Sequence, residues 1–369
     1  MNRDALRFPG ALMVLALLGQ PACGQVGPLD GTRRTGTLVT ARAAHTATSL
    51  PTGQVLIVGG MVSGGGSLAT AEMFDPARNR SEQTASLEEP RAGHTATLLA
   101  DGRVLIAGGY NGEYLSSVEI FDASMQRFAP AGTLLEGRSG HTATLLSGGR
   151  ILFIGGVGRG WTFLRSAELF DPATGRSQRV GMLSVPRESH TATLLSGDRV
   201  LVVGGHSGRR QQMQVYASAE LYDPQTRGFV PAGSLATPRH KHDAVGLTGG
   251  RVLIIGGADR SDRVHYSTTE VYDVGSRSFS DGPAMAHRRY KIAGTTVMLA
   301  NGDVLVTSGA RSAELLPLDR LAFVAVPGQF PEAYYFAAAA PLPGGDVLIA
   351  GGYSDANRNT AGIWRFSRR

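Results

Sequence analysis

The side chains with the most regular spacing in this chain are histidines that follow an arginine by three residues. The motif Arg-x-x-His-Thr-Ala-Thr begins, in clear, looser or degenerate form, at Arg42, Arg91, Arg138, Arg187, Arg239, Lys291 and Tyr334. Its histidines are His45, His94, His141, His190 and His242. Histidine is a common metal ligand, but zinc needs its ligand atoms at about 2.0–2.1 Å, whereas equivalent residues of a repeat lie apart. We therefore predict that each histidine makes the same local hydrogen bond, and we expect no metal site.

Glutamates accompany the arginines with similar regularity. They are Glu72, Glu119, Glu168, Glu220 and Glu270. In the first four cases, 19 residues separate the glutamate from the next arginine. The last repeat has Tyr334 in the arginine place and Gly362 in the glutamate place. Because loss of one partner alone would leave a costly unpaired buried charge, the joint loss predicts an Arg–Glu ion pair in the repeats that keep both.

A single ligand site should lie where the repeats differ. The connection from the Gly-Gly site to the glutamate is 6 residues long in the sixth repeat and 11 to 16 residues long in the others. The short connection predicts a notch in the surface at the sixth repeat. We predict that ligand-binding residues flank this notch, namely Arg260, Arg263, His265, Tyr266, Lys291, Tyr334, Tyr353 and Arg358. The third and fourth repeats add Trp161, Arg209, Arg210 and Tyr216. Arginine and tyrosine side chains suit anionic or planar groups.

An alternative chemistry is acid or base catalysis at the same end of the molecule. The candidate residues are His287, Arg289, Glu332 and Tyr335. Catalysis of this kind requires the side chains to converge on one substrate. The alternative therefore predicts that these four residues lie close together.

The elements that position these residues are short strands. In the second repeat, the segment from His94 to Leu99 ends at the turn around Gly102. The next segment, from Val104 to Ala107, is continuously apolar, which is typical of a strand buried on both faces. A third strand contains the glutamate, and a fourth carries an aromatic residue such as Phe128. Each repeat therefore predicts four antiparallel strands, which form one propeller blade.

The number of repeats predicts a closed ring. Gly-Gly sites or their equivalents start at seven places, residues 59, 108, 155, 204, 256, 308 and 351. The last repeat stops at its third strand, Ile363 to Phe366, while residues 32–39 resemble a fourth strand. We predict an all-β, seven-bladed propeller over residues 32–366, closed by pairing of the N-terminal strand into the last blade. Residues 23–31 would then be a linker and residues 367–369 a tail.

The Gly-Gly, Glu-x-Tyr/Phe-Asp and Arg motifs together resemble the Kelch repeat family. The tryptophan common in the fourth strand of that family is replaced here by Phe or a polar residue. The resemblance implies a non-enzymatic binding module, a copper-dependent galactose oxidase or a sialic-acid epimerase. The oxidase cofactor is a crosslinked Cys-Tyr pair, and Cys23, the only cysteine, precedes the propeller. We therefore reject the oxidase and expect no cofactor.

The N-terminus predicts export. Arg3 and Arg7 precede the apolar stretch from Ala11 to Leu18, which is too short to cross a bilayer. Residues 1–22 therefore fit an export signal, and Cys23 stands where a bacterial lipoprotein carries its lipid. Gln20 and Pro21 depart from the usual lipobox, so simple secretion is the alternative.

Charge and composition favour a soluble binding protein. The formal net charge is +6, but arginines are scattered through every repeat, and no basic run with aromatics indicates nucleic acid. We expect an exported monomer, lipid-anchored to the cell envelope or secreted, that binds a protein or glycan through the loops of blades five to seven. The alternatives are a carbohydrate-active enzyme of epimerase or lyase type and a structural surface protein.

Overall fold

The computed structural model describes residues 29–368, which form seven four-stranded antiparallel sheets and two short two-stranded hairpins. The strands in chain order are β1 (Leu29–Thr37), β2 (Thr46–Ser49), β3 (Val55–Val58), β4 (Ala71–Asp75), β5 (Arg80–Gln83), β6 (Thr95–Leu98), β7 (Val104–Ala107), β8 (Ser117–Asp122), β9 (Arg127–Thr133), β10 (Thr142–Leu145), β11 (Ile151–Ile154), β12 (Val157–Gly158), β13 (Thr162–Phe163), β14 (Ser166–Asp171), β15 (Arg176–Met182), β16 (Thr191–Leu194), β17 (Val200–Val203), β18 (His206–Ser207), β19 (Gln214–Val215), β20 (Ser218–Asp223), β21 (Gly228–Ser234), β22 (Asp243–Leu247), β23 (Arg251–Ile255), β24 (Thr269–Asp273), β25 (Ser278–Asp281), β26 (Thr296–Met298), β27 (Val304–Val306), β28 (Glu314–Leu316), β29 (Val324–Ala325), β30 (Ala338–Pro341), β31 (Val347–Ala350) and β32 (Gly362–Arg368). Short 3₁₀ helices cover Arg159–Trp161, Ser196–Asp198, Arg210–Gln212 and Pro343–Gly345.

Each four-stranded sheet is one blade, which confirms the seven-bladed β-propeller. Blade one contains β2 to β5, blade two β6 to β9, blade five β22 to β25 and blade six β26 to β29. Blades three and four each carry an extra hairpin, β12–β13 and β18–β19, between their second and third main strands. Blade seven contains β30, β31, β32 and β1.

The two ends of the described chain share the last blade. Strand β1 pairs antiparallel with β32, with Thr32 opposite Phe366. The pairing starts at Leu29 opposite Arg368, so the strands extend beyond the predicted propeller limits of 32 and 366. The predicted export signal and Cys23 lie outside the described residues. Among residues 29–368, no helix has the length and apolar character needed to span a membrane.

The core lies between neighbouring blades. All four residues of β7, from Val104 to Ala107, have no exposed surface. On one side Ile106 packs with Leu56 of blade one, and on the other Leu105 packs with Phe153 of blade three. Burial on both faces explains why this strand is apolar without alternation.

The first strand of each blade lines a central channel. A cavity of about 380 Å³ follows the axis between small residues of these strands, such as Ala47, Ala96 and Ala143. At one end of the channel, the linkers between blades meet the connections from second to third strands, as Ala43 pairs with Met61 and Met61 with Ser67. We call this end the mouth face.

Candidate functional site

A set of buried Arg–Glu ion pairs lies below the mouth face, and we call these pairs the framework. Arg42 donates to Glu72 Oε1 at 2.6 Å, and its Nη1 also donates to the backbone oxygen of Gly59 at 2.7 Å. The other end of the Glu72 carboxylate accepts the N–H of Val39 in the preceding linker at 2.8 Å. The same Arg–Glu pair recurs at Arg91–Glu119, Arg138–Glu168, Arg187–Glu220 and Arg239–Glu270. The predicted ion pairs are therefore confirmed.

Blade six corrects the predicted start of its repeat. Arg289, and not Lys291, forms the ion pair there, with Glu314 at 2.8 Å. Its Nη1 donates to the backbone oxygen of Ser308, 19 residues ahead, where the corresponding separation in the earlier blades is 17. Two residues are thus inserted after the arginine, which shifted the sequence alignment. Arg289 has no exposed surface, so its place is in the framework and not in a catalytic group.

Blade seven replaces the ion pair by aromatic packing. Trp364 lies opposite Ile349, as Glu72 lies opposite Ile57, so the glutamate position is Trp364 and not Gly362. The Tyr334 ring, in the arginine position, packs 5.1 Å from the Trp364 ring. Tyr334 therefore belongs to the core between blades six and seven, and its predicted role as a ligand contact is not supported.

The repeated histidines are structural. His94 Nε2 lies 3.1 Å from Thr46 Oγ1 of the preceding blade, and the same bond links His141, His190 and His242 to Thr95, Thr142 and Thr191. Burial lowers the pKa of His94 to about 3, assisted by the charge of Arg91, so the ring is neutral. These four rings each link one blade to the next, whereas the ring nitrogens of the buried His45 have no hydrogen-bond partner among the described residues, so the predicted bond is absent there. Among residues 29–368, no three His, Cys, Asp or Glu side chains are grouped so as to hold a metal ion.

The blades differ at the two residues between the arginine position and the histidine position. From blade one to blade seven these pairs are Ala43-Ala44, Ala92-Gly93, Ser139-Gly140, Glu188-Ser189, His240-Lys241, Tyr290-Lys291 and Tyr335-Phe336. We call them the mouth positions. The second residue of each pair has positive φ, 55° at Lys291, and backbone bonds join neighbours around the channel. Lys291 N–H donates to Lys241 O at 2.8 Å, and Phe336 N–H donates to Lys291 O at 3.0 Å.

Aromatic residues of blades six and seven form a cluster around Lys291, which we call the Lys291 cluster. The ammonium nitrogen lies 4.8, 5.8, 5.9 and 5.3 Å from four ring centres, those of Tyr290, Tyr335, Phe336 and Tyr353. It also donates to Tyr353 Oη at 2.6 Å. Desolvation by itself would lower the pKa of Lys291, but the hydrogen bond to Tyr353 and the neighbouring tyrosines outweigh it and raise the pKa. The lysine is therefore held as a cation against the aromatic faces.

A polar network continues from this cluster towards blade four. The His265 ring stacks on Tyr290 at 3.6 Å, and His265 Nε2 lies 3.0 Å from the backbone oxygen of Asp262. The Asp262 carboxylate contacts the side chains of His240 and Lys241. Burial by itself would raise the pKa of Asp262, but these two partners lower it, so the group is a carboxylate. His240 Nδ1 then lies 3.1 Å from Nδ1 of His206.

The predicted ligand-binding residues divide into three groups. His265, Lys291 and Tyr353 come together in or beside the Lys291 cluster. The exposed residues Arg260, Arg263 and Arg358 form part of the rim. Tyr266 packs its ring over the buried guanidinium of Arg239 at 5.3 Å, so it supports the framework, as Tyr334 does.

The four predicted catalytic residues contact different partners. His287 Nδ1 lies 3.1 Å from Glu314 Oε1, the carboxylate that also binds Arg289. Glu332 pairs instead with Arg358 at 3.3 Å, and Tyr335 lies in the Lys291 cluster. Arg289 and Glu314 therefore belong to the buried framework, whereas the His287 side chain is 49% exposed.

Four residues of the mouth face were not predicted from the sequence as site residues. Glu188, His206, His240 and Phe336 all lie at the channel mouth. Alignment of the two unspecified positions of Arg-x-x-His would have found three of them, because those positions change from Ala, Gly and Ser to Glu, His, Lys and aromatic residues after the third repeat.

Comparison with known proteins agrees with this architecture. The family model described as the Kelch motif matches residues 90–134, the part of the chain that contains blade two. No curated protein is significantly similar to the chain, whereas 1146 chains of solved structures match it. One of these is a fungal alcohol oxidase of the AA5 family in complex with copper, with a TM-score of 0.72 and 15% identity over 93% of this chain and 76% of that one. At this identity the likeness shows the fold alone, and the copper belongs to that oxidase. The chain is therefore a seven-bladed β-propeller with a Kelch motif.

Proposed function

We propose that this protein is an exported propeller that binds a protein or glycan partner through the Lys291 cluster and the rim around it. The observation that carries the proposal is a cation held against four aromatic rings at the channel mouth. The equivalent positions of blades one to three hold only Ala, Gly and Ser, so a blade does not need this cluster in order to fold.

The composition of this surface suits recognition. Aromatic and arginine side chains carry much of the binding energy of protein interfaces, because they bury a large area with little loss of conformational freedom. Around the cluster, Arg260, Arg263 and Arg358 are exposed, and Val264 exposes 48% of its surface. The cluster would act as the anchor, while the arginines of the rim would steer a partner of complementary charge.

The test is partner capture by a double variant, Lys291→Ala with Tyr353→Ala. Immobilised protein is exposed to a glycan array and to an envelope protein extract, and the variant should lose the partners that the native protein captures. Tyr334 is left unchanged because it packs in the core. The matched control is Arg78→Ala on the opposite face, where the arginine side chain is 81% exposed. Undiminished capture by a folded double variant would overturn the proposal.

Export and lipidation form a separate part of the proposal. They rest on the sequence of residues 1–22 and on Cys23. The full chain, expressed in a bacterium fed an alkyne-labelled palmitate, should carry the label in the envelope, and Cys23→Ser should remove it. Unlabelled native protein in the medium would instead support simple secretion, and unlabelled protein retained in the cytoplasm would contradict export.

A further inference from the structure

A second cavity opens on the mouth face beside the Lys291 cluster. It has a volume of about 360 Å³, and its walls include Glu188, Ser189, His206, Arg209, Arg210 and Lys241. We propose that this cavity binds a small organic carboxylate, held by the guanidinium groups of Arg209 and Arg210 and by the carboxyl group of Glu188. Phe336 of the Lys291 cluster also lines this cavity, but none of the three proposed carboxylate-binding side chains belongs to that cluster.

One of the two arginines of the cavity is held by an aromatic ring. The Arg209 guanidinium carbon lies 3.2 Å from the ring centre of Trp161, so stacking fixes its plane. Arg210 follows at the start of a 3₁₀ helix, and both arginines are exposed. The charge of Lys241 is already matched by its contact with Asp262. The two arginines therefore remain to bind an anion, and a planar guanidinium matches the two oxygens of a carboxylate.

Glu188 is the group in the cavity that lacks a strong partner. A Cβ atom on Gly140 would lie 2.6 Å from Glu188 Oε1, so a glycine in blade three leaves the room that this carboxyl occupies. In the described part of the chain, its one basic neighbour within 4.0 Å is His206, at 3.7 Å. Burial lowers the pKa of His206 to about 3, so that neighbour is neutral.

The proton state of Glu188 follows from these surroundings. The groups that face it are His206, Arg209, Lys241 and Tyr114. Burial raises the pKa of Glu188 to about 7, although the charges of Arg209 and Lys241 oppose the shift. Below pH 7 its carboxyl can donate a hydrogen bond to a carboxylate ligand, whereas above that pH the ionised group repels the same ligand.

The proposal is tested by calorimetric titration of the full chain with sodium glucuronate, with glucose as the neutral control and inorganic phosphate as a third probe. Glucuronate should bind and glucose should not. Affinity for glucuronate should fall about tenfold between pH 6 and pH 8, because binding then requires protonation of Glu188. Phosphate that binds more tightly than glucuronate would overturn the carboxylate assignment.

Variants separate this site from general effects. Arg209→Gln combined with Arg210→Gln should weaken glucuronate binding at least about tenfold, the loss expected for charge-assisted hydrogen bonds. Glu188→Gln keeps a hydrogen-bond donor, so binding should remain but lose its dependence on pH. Lys291→Ala should leave glucuronate binding unchanged while it abolishes partner capture. Equal binding of glucose, or binding unaffected by the double arginine variant, would overturn the proposal without touching the partner surface.

Discussion

The framework and the mouth positions lie next to each other in the repeats, but the framework residues are nearly constant from blade to blade whereas the mouth residues vary. The arginine is kept in blades one to six and always pairs with a glutamate. The next two residues are small in blades one to three and carry charged or aromatic groups in blades four to seven. The buried layer is constrained because one lost partner leaves a charge in the core. The mouth positions are buried or half-buried but take part in no repeated ion pair, so they are free to differ between blades and to carry a site.

The largest effect should come from the framework in blade one, where the mouth positions are alanines. Glu72→Gln removes the only carboxylate within 4.0 Å of Arg42 among the described residues, and that arginine has no exposed surface. The free energy of unfolding, measured by urea denaturation, should fall by about 3–5 kcal/mol. The exposed control Arg78→Ala should change it by less than about 0.5 kcal/mol. Similar values for the two variants would mean that the buried pair is not a framework element.

A smaller loss of stability should follow substitution of the glycines whose backbone oxygens accept hydrogen bonds from the framework arginines, as Gly108 does from Arg91. Gly108 has φ of +64°, and a Cβ there would lie 2.5 Å from the backbone oxygen of Arg138. Gly108→Ala should therefore cost about 2–3 kcal/mol in urea denaturation. Gly64 has φ of +98° but open space around it, so Gly64→Ala should cost about 1 kcal/mol. A larger loss at Gly64 would show that backbone strain, and not contact with the next blade, decides the cost.

Acid should loosen the framework through its histidines. Burial lowers the pKa of His45, His94 and His190 from 6.5 to about 3 in the folded protein. Their stabilising contribution is present above pH 6.5 and is lost as the pH falls towards 3, by about 1.4 kcal/mol per pH unit for each ring. Asp243 and Glu188, whose pKa values burial raises to about 6 and about 7, act in the opposite direction, since their contribution is lost as the pH rises.

The histidines outnumber these two acids, so the urea midpoint should fall between pH 6.5 and pH 4.5. In His94→Gln, one proton fewer should be taken up on unfolding in this range. The slope of the free energy of unfolding against pH should therefore decrease by about 1.4 kcal/mol per pH unit. An unchanged slope in this variant would show that His94 does not titrate on unfolding in this range.

The smallest effect should come from the mouth positions of blades one to three. Ser139→Ala removes a long hydrogen bond of 3.3 Å to the backbone oxygen of Gly93. Stability should change by less than about 0.5 kcal/mol, and capture of the partner should be unaffected. Loss of capture in Ser139→Ala would place part of the partner surface outside blades four to seven and would weaken the contrast between the two halves of the mouth.

Local pattern predicted most of the framework, because each of its contacts recurs at a fixed spacing. The apolar strand from Val104 to Ala107 and the Arg91–Glu119 pair could both be inferred from one repeat and checked in the next. The inference failed where the spacing changed. Two inserted residues made Lys291 look like the framework cation, although Arg289 occupies that position. In blade seven the exchange of an ion pair for Tyr334 and Trp364 left no charge pattern to align.

The sequence alone determined the number of blades and the chemistry of their buried contacts, since both follow from a period that hydrogen bonding and burial enforce locally. Only the tertiary structure decided which side chains meet at the mouth. Lys241, Lys291 and Phe336 are about fifty residues apart along the chain, yet consecutive backbone hydrogen bonds join them around the channel. The ring creates this neighbourhood because each blade delivers the same position to one axis, and no local pattern records how side chains from different blades then pack together.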